Sequence, residues 1–217
     1  MHIPDGFLSP ETFIPTWALA VGCWSWAARG LRTRIDETTL PRLAMLTALA
    51  YALGLIMLPL PGGTSGHALG VALLALLFGI RLAFLSYSLV LLLQALLFAA
   101  GGITALGVNA LAIGLAGSAT AVAVHRLLRG AYEPLAVVVA AYASVLASAV
   151  LIGLALGLQA HIAYDAAGRP LYFPFSFHIV LPAIVVPHLF IGLGEAALTL
   201  VVWRYARARG WTSRADA

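Results

Sequence analysis

A chain of 217 residues that is 62% hydrophobic and only 9% charged, with a mean hydropathy of +1.00, cannot present its apolar surface to water. The composition excludes a soluble domain and requires an integral membrane protein. The net charge of +4 does not mark a nucleic-acid binder, because the 12 basic residues, all arginine, sit at the ends of apolar runs where membrane topology signals sit. The one cysteine, Cys23, lies inside an apolar run, which excludes an intrachain disulfide and reads as a small buried hydrophobe.

The chain begins Met1-His2-Ile3-Pro4-Asp5-Gly6-Phe7-Leu8. It lacks the basic stretch and small-residue cleavage site of a secretory signal, so the expectation is that nothing is removed and that Met1 is retained before the bulky His2. Met1 and His2 together carry an α-amine, a backbone amide and an imidazole. If the amide loses its proton to a metal, these close two fused chelate rings and occupy three corners of a square. Tetragonal nitrogen sites suit Ni(II) and Cu(II), and imidazole also suits Co(II). Pro4 stiffens the segment and Gly6 permits a turn, so residues 1–11 read as a chelating segment aimed inward.

Each spanning helix needs about 20 apolar residues. On that measure the spans fall at Thr12–Ala28, Leu43–Leu58, His67–Ile80, Phe84–Ala100, Val108–Val124, Leu135–Leu158 and Phe177–Trp203. This predicts an all-α integral membrane protein of about seven transmembrane helices, one membrane-embedded domain over 1–217. Arg29, Arg32, Arg34, Arg42, Arg81, Arg126, Arg129 and the tail arginines Arg204, Arg207, Arg209 and Arg214 fall on one side, and only Arg169 on the other. The positive-inside rule then puts the N-terminus outside and the tail, 205–217, in the cytoplasm of a plasma (inner) membrane.

That orientation sends Met1-His2 and the loop Pro59–Gly70 to the same outer face. The loop is too rich in Pro and Gly for helix and reads as re-entrant, as does Gly101–Gly107. His67 is the candidate fourth nitrogen, completing with Met1 and His2 a planar four-nitrogen site. Asp5, Ser65, Gln94, Asn109, His188 and Glu195 are candidates to orient those ligands by hydrogen bonds. His188 and Glu195, seven apart on one helix face, alternatively satisfy each other or neighbouring helices. The outer loop Gln159–Ser176, bracketed by His161 and His178, reads as a turn-rich excursion and a candidate lid. Ala44, Ala48 and Ala52 form a small-residue stripe that lets another helix approach closely.

On the Met-His start, the Gly62-Gly63-Thr64-Ser65-Gly66-His67 loop and the Gly101-Gly102-Ile103-Thr104-Ala105-Leu106-Gly107-Val108-Asn109 segment, the chain resembles the CbiM/NikM family. The likeness runs from the first residues to Gly192-Leu193-Gly194-Glu195. It implies a seven-helix, metal-binding membrane subunit of an energy-coupling-factor (ECF) ABC transporter, with Met1, His2 and His67 as ligands for Ni(II) or Co(II) as transported substrate and no organic cofactor. It also implies a transmembrane coupling protein and two cytoplasmic ATPase subunits as partners, with Ala44, Ala48 and Ala52 as the docking stripe. The chain departs from many relatives at Ala99-Ala100, where a polar residue or histidine is common, and at Asp5, where glutamate is common. No second small membrane protein is fused at the C-terminus, so any accessory subunit is expected as a separate chain.

Because the chain has no lysine, it has no phosphate-binding loop and no ATPase of its own. The expectation is therefore a transporter subunit and not an enzyme. The alternatives are an intramembrane metalloenzyme built on His188 and Glu195, which lacks a His-Glu-x-x-His pair, and a generic carrier whose Met-His start is incidental.

Overall fold

A computed structural model describes residues 2–60, 64–130 and 132–211. Six principal helices carry the fold: α1 Pro10–Ala28, α2 Thr39–Leu55, α3 Val71–Phe98, α4 Leu106–Leu128, α5 Glu133–Gln159 and α6 Phe177–Ala208. The loop between α2 and α3 is a two-stranded antiparallel hairpin, β1 Leu58–Leu60 with β2 Thr64–Gly66, in which Pro59 faces Ser65. The sequence reading had no strand here. Apart from this hairpin and one isolated bridge, the described residues are helix and connecting loop.

The helices start where the local chemistry permits. Pro10 occupies the first turn of α1, where a missing N–H costs nothing, and the Ser9 carbonyl accepts from the amides of Thr12 and Phe13 at 2.9 Å. Pro134 does the same for α5. At the far end of α6, Gly210 takes φ +68° and the Trp211 amide returns to the Ala206 carbonyl, closing the last turn. Within α4, Ala110–Gly117 is π-helical.

Among the described residues four helices are long and apolar enough to cross a membrane: α3, α4, α5 and α6. Large apolar side chains such as Leu96, Leu97, Phe98, Phe190, Leu193 and Val201 are more than half exposed in the isolated chain. Such a surface fits lipid and not water. The core is packed between α3, α4, α5 and the inner face of α6, with α5 and α6 lying along one another.

The separate spans expected at His67–Ile80 and Phe84–Ala100 correspond to the two halves of α3, which part at Gly79 (φ +81°, ψ 167°). A straight 28-residue helix would hold its ends about 42 Å apart. Yet His67, just before α3, and Gly101, just after it, both lie against His2: the two imidazole centroids are 4.7 Å apart, and a Cβ on Gly101 would sit 3.1 Å from that of His2. The helix therefore reverses at Gly79, a backbone geometry that glycine adopts without penalty. The short first half is almost wholly buried, from Val71 to Ala75.

This reversal gathers Arg29, Arg81 and the end of α4 at one end of the bundle and the N-terminal segment at the other. Arg42 lies over Trp211 (5.5 Å), and Arg207 bonds Glu133, so the starts of α2 and α5 meet the end of α6 at the arginine-rich end.

Candidate functional site

The N-terminal segment is built into the fold. Ile3 is fully buried. Its N–H donates to Asn109 Oδ1 (3.0 Å), and its carbonyl accepts from Asn109 Nδ2 (3.1 Å) and from the Gly102 amide (2.9 Å). One side-chain amide thus reads Ile3 as a neighbouring strand would. Two residues on, the Asp5 carboxylate accepts from the amides of Ile103 (3.1 Å) and Thr104 (2.7 Å) and from the Thr104 hydroxyl. Partial burial would raise the Asp5 carboxyl, but the hydroxyl and amide of Thr104 and the amide of Ile103 outweigh it and hold its pKa below the ordinary value. Gly102 leaves room for this contact: a Cβ there would fall 2.3 Å from the Asp5 amide nitrogen.

A second anchor is Gln159, at the end of α5. Its Oε1 accepts from the Ser9 amide (2.9 Å), and its Nε2 donates to the Thr12 hydroxyl (3.0 Å) and the Ala155 carbonyl (2.9 Å). Sequence reasoning placed Gln159 at the start of the outer loop and missed it, along with Thr104. The available signal was a polar residue closing the run Leu135–Leu158 on the arginine-poor side.

Held this way, His2 meets His67. Their rings are tilted by 55° with centroids 4.7 Å apart. His67 Nδ1 lies 3.0 Å from the Ala68 carbonyl, which can only accept, so Nδ1 carries the proton and Nε2 keeps its lone pair. The Nε2 atoms of both His2 and His67 are shielded from solvent and have no hydrogen-bond partner. Burial, reinforced by the adjacent His67 ring, pushes His2 well below the ordinary 6.5. Burial lowers His67 to about 4, against the opposing effect of its bond to Ala68. Both rings are therefore neutral near pH 7, the state in which imidazole donates a lone pair.

Glu195 fixes the other side of the His67 loop. Its buried carboxylate accepts from the amides of Leu69 (2.8 Å) and Gly70 (2.7 Å), at the start of α3. His188 Nδ1 bonds the Ile184 carbonyl (2.7 Å). The two therefore do not satisfy each other: Glu195 bonds the start of the neighbouring α3, and His188 bonds a carbonyl of its own helix. Gln94 lies away from the pair, with Nε2 at 3.5 Å from the Tyr51 carbonyl and packed on Gly54. His161 stacks on Phe177, and His178 pairs with Ser176. Met1 and the side chain of Ser65 lie outside the described residues.

The planar four-nitrogen site expected for nickel or cobalt is not found. Among the described residues no group of three or more His, Cys, Asp or Glu side chains is placed to hold a metal ion. The bonding shows what is there instead: two imidazoles converge, and the candidate acids Asp5 and Glu195 are committed to backbone amides.

Residues 2–212 match the family described as CbiM, cobalt uptake substrate-specific transmembrane region. The chain belongs to the CbiM family. It is 39% identical over 212 residues to a fused nickel transport protein NikMN of Rhodobacter capsulatus, covering 94% of this chain and 61% of that one. The chain thus spans about three fifths of that fused relative. It is 33% identical to a cobalt transport protein CbiM of Moorella thermoacetica, covering 94% of this chain and 78% of that protein. Its fold matches the crystal structure of a truncated transition metal transporter with a TM-score of 0.91 and 34% identity, over 96% of this chain and 99% of the other. CbiM-family membership makes this a multi-pass membrane transport protein and not an enzyme, consistent with residence in the plasma membrane. The metalloenzyme alternative falls with it.

Proposed function

We propose that this chain is the substrate-specific membrane subunit of a transition-metal importer, and that His2 and His67 are where it meets its cargo. The observation that carries the reading is the pair of neutral, shielded imidazoles with unpartnered Nε2 atoms, held beneath an N-terminal segment that Asn109, Asp5 and Gln159 lock in place. Imidazole nitrogens select transition metals over hard cations such as Mg²⁺ and Ca²⁺. In this reading Asn109 and Asp5 position the segment that carries His2, and Glu195 positions the loop that carries His67.

The whole of 1–217 acts as one domain of about seven spans, with the reversal at Gly79 dividing α3 into two of them. The N-terminus lies outside and the arginine-rich end faces the cytoplasm. Energy comes from separate chains, a membrane coupling protein and two ATPases. Ala44, Ala48 and Ala52 all lie exposed along one stripe of α2, and Ala44 and Ala48 line a shallow apolar groove with Thr47, Tyr51 and Leu89. That groove is the docking face for the coupling protein.

Uptake of labelled cobalt and of nickel by cells producing the chain with its coupling and ATPase partners tests this. His2→Ala and His67→Ala should each lower uptake at least tenfold at unchanged protein level, and Ala48→Leu should lower uptake by weakening complex capture. Full uptake by both histidine variants would refute the assignment and leave a carrier whose Met-His start is incidental.

A further inference from the structure

The reversal of α3 leaves a cavity of about 280 Å³ at the arginine-rich end, lined by Trp26, Gly79, Arg81, His125 and Arg126 together with apolar side chains of α3 and α4. It is remote from the histidine pair, and nothing described so far uses it. We infer that this cavity binds a phosphate-type oxyanion, either the headgroup of an anionic phospholipid or free phosphate.

The charge of the lining, the setting of two of its side chains and the backbone at Gly79 converge on that chemistry. The lining holds two arginines and a histidine and no acid. Arg81 is preset: its Nη1 donates to the Arg29 carbonyl (3.3 Å) and its guanidinium lies 4.5 Å over the Trp26 ring. A fork held by one acceptor and one aromatic face keeps its remaining N–H groups for a planar or tetrahedral oxyanion. The Nε2 of His125 is shielded from solvent and has no hydrogen-bond partner, a donor or acceptor without a mate in the free protein. Finally, a Cβ on Gly79 would meet nothing within 4 Å, so the reversal opens into space, and the second half of α3 begins there with Arg81 in its first turn. A helix start favours anions through its outward N–H groups.

The surroundings suit a headgroup. Trp26 is partly exposed beside the apolar surface of α1, as aromatic side chains are where hydrocarbon gives way to water. Basic pockets between helices on the cytoplasmic side recognise anionic lipid. A metal cation is excluded by the charge of the lining. This inference does not depend on the metal reading, since it concerns different residues at the opposite end of the bundle.

The test uses the full chain, delipidated in detergent and then equilibrated with mixed micelles of phosphatidylglycerol and phosphatidylcholine, with retained lipid counted by native mass spectrometry. The wild-type chain should retain phosphatidylglycerol in preference to phosphatidylcholine. Arg81→Gln and Arg126→Gln should each cut that retention about fivefold, while Arg209→Gln, at the same end but outside the cavity, should leave it unchanged. Displacement of the lipid by inorganic phosphate, with phosphate alone raising the Tm, identifies the free anion as ligand; retention undisturbed by phosphate identifies the headgroup. Should Arg81→Gln fail to fold, His125→Gln, which keeps Arg81 and its contacts, is expected to weaken retention in the same direction. Equal retention of the two lipids with no effect of phosphate on Tm, or an Arg209→Gln loss as large as that of Arg81→Gln, would overturn the inference.

Discussion

Replacing Asn109 with alanine should release the N-terminal segment while leaving the helices in place. The side chain is 2% exposed and makes both bonds to Ile3. Truncation removes two hydrogen bonds, each worth about 1 kcal/mol net, and strands the buried Ile3 N–H at a further cost of about 1–3 kcal/mol. The Ile3 carbonyl keeps its bond from Gly102, which moderates the loss. The local docking equilibrium should therefore shift by about 3 kcal/mol, or roughly a hundredfold. Hydrogen exchange read by mass spectrometry over residues 2–8 should accelerate by about that factor, with the peptides of α5 and α6 unchanged. Gln94→Ala is the matched control: Gln94 is equally buried and equally an amide, but its one bond is a 3.5 Å contact to the Tyr51 carbonyl. If Asn109→Ala left exchange at residues 2–8 within twofold of wild type, or if Gln94→Ala raised it as much, the docking account would be wrong.

Gly102→Ala should act on the same segment by a different route, because the added methyl would overlap the Asp5 backbone nitrogen and carboxylate; protease cleavage near residue 5 should rise sharply in a time course. The folded-state pKa of Asp5 lies below its ordinary 3.8, so its contribution is complete above that value and is lost as pH falls through the lowered one. Protection of residues 2–8, taken relative to the intrinsic exchange rate at each pH, should therefore fall on acidification below about pH 4, and Asp5→Asn should weaken docking at neutral pH and flatten that dependence. Glu195→Ala strands the buried amides of Leu69 and Gly70, which at about 1–3 kcal/mol each should lower the Tm in detergent and deprotect residues 67–70 in particular. Unchanged protection there, with the Tm lowered all the same, would mean that Glu195 supports α6 only and has no hold on the loop.

Much of this arrangement was legible in the residues. The apolar runs marked the helices, and the one-sided arginines brought His2 and His67 to the same end, where the structure has them 4.7 Å apart. Asn109 was singled out as an amide that would orient a ligand, and it does hold the residue after His2. What could not be read was the commitment of acids to backbone. Asp5 and Glu195 look like candidate helpers of a metal, but a carboxylate that meets two free amides at a loop or helix start is already satisfied, and only geometry reveals that. The four-nitrogen site was not found because two imidazoles alone converge among the described residues, and with both acids committed to backbone no third side chain joins them. A break between the spans ending at Ile80 and starting at Phe84 was legible, but not that Gly79 makes it, since periodicity records the apolar faces on either side of a glycine and not the direction in which the chain leaves it.

The anchoring of the first residues sets an order of assembly. Ile3 waits for Asn109, 106 residues downstream, and Ser9 waits for Gln159, 150 residues downstream. At a synthesis rate of about 5–20 residues per second, the opening segment is without its mates for roughly ten seconds. The part translated earliest is thus among the last to be seated, and its seating certifies that α4 and α5 have already been threaded and brought together. A chain stalled before Gln159 would carry both histidines and still present an open, unlatched beginning.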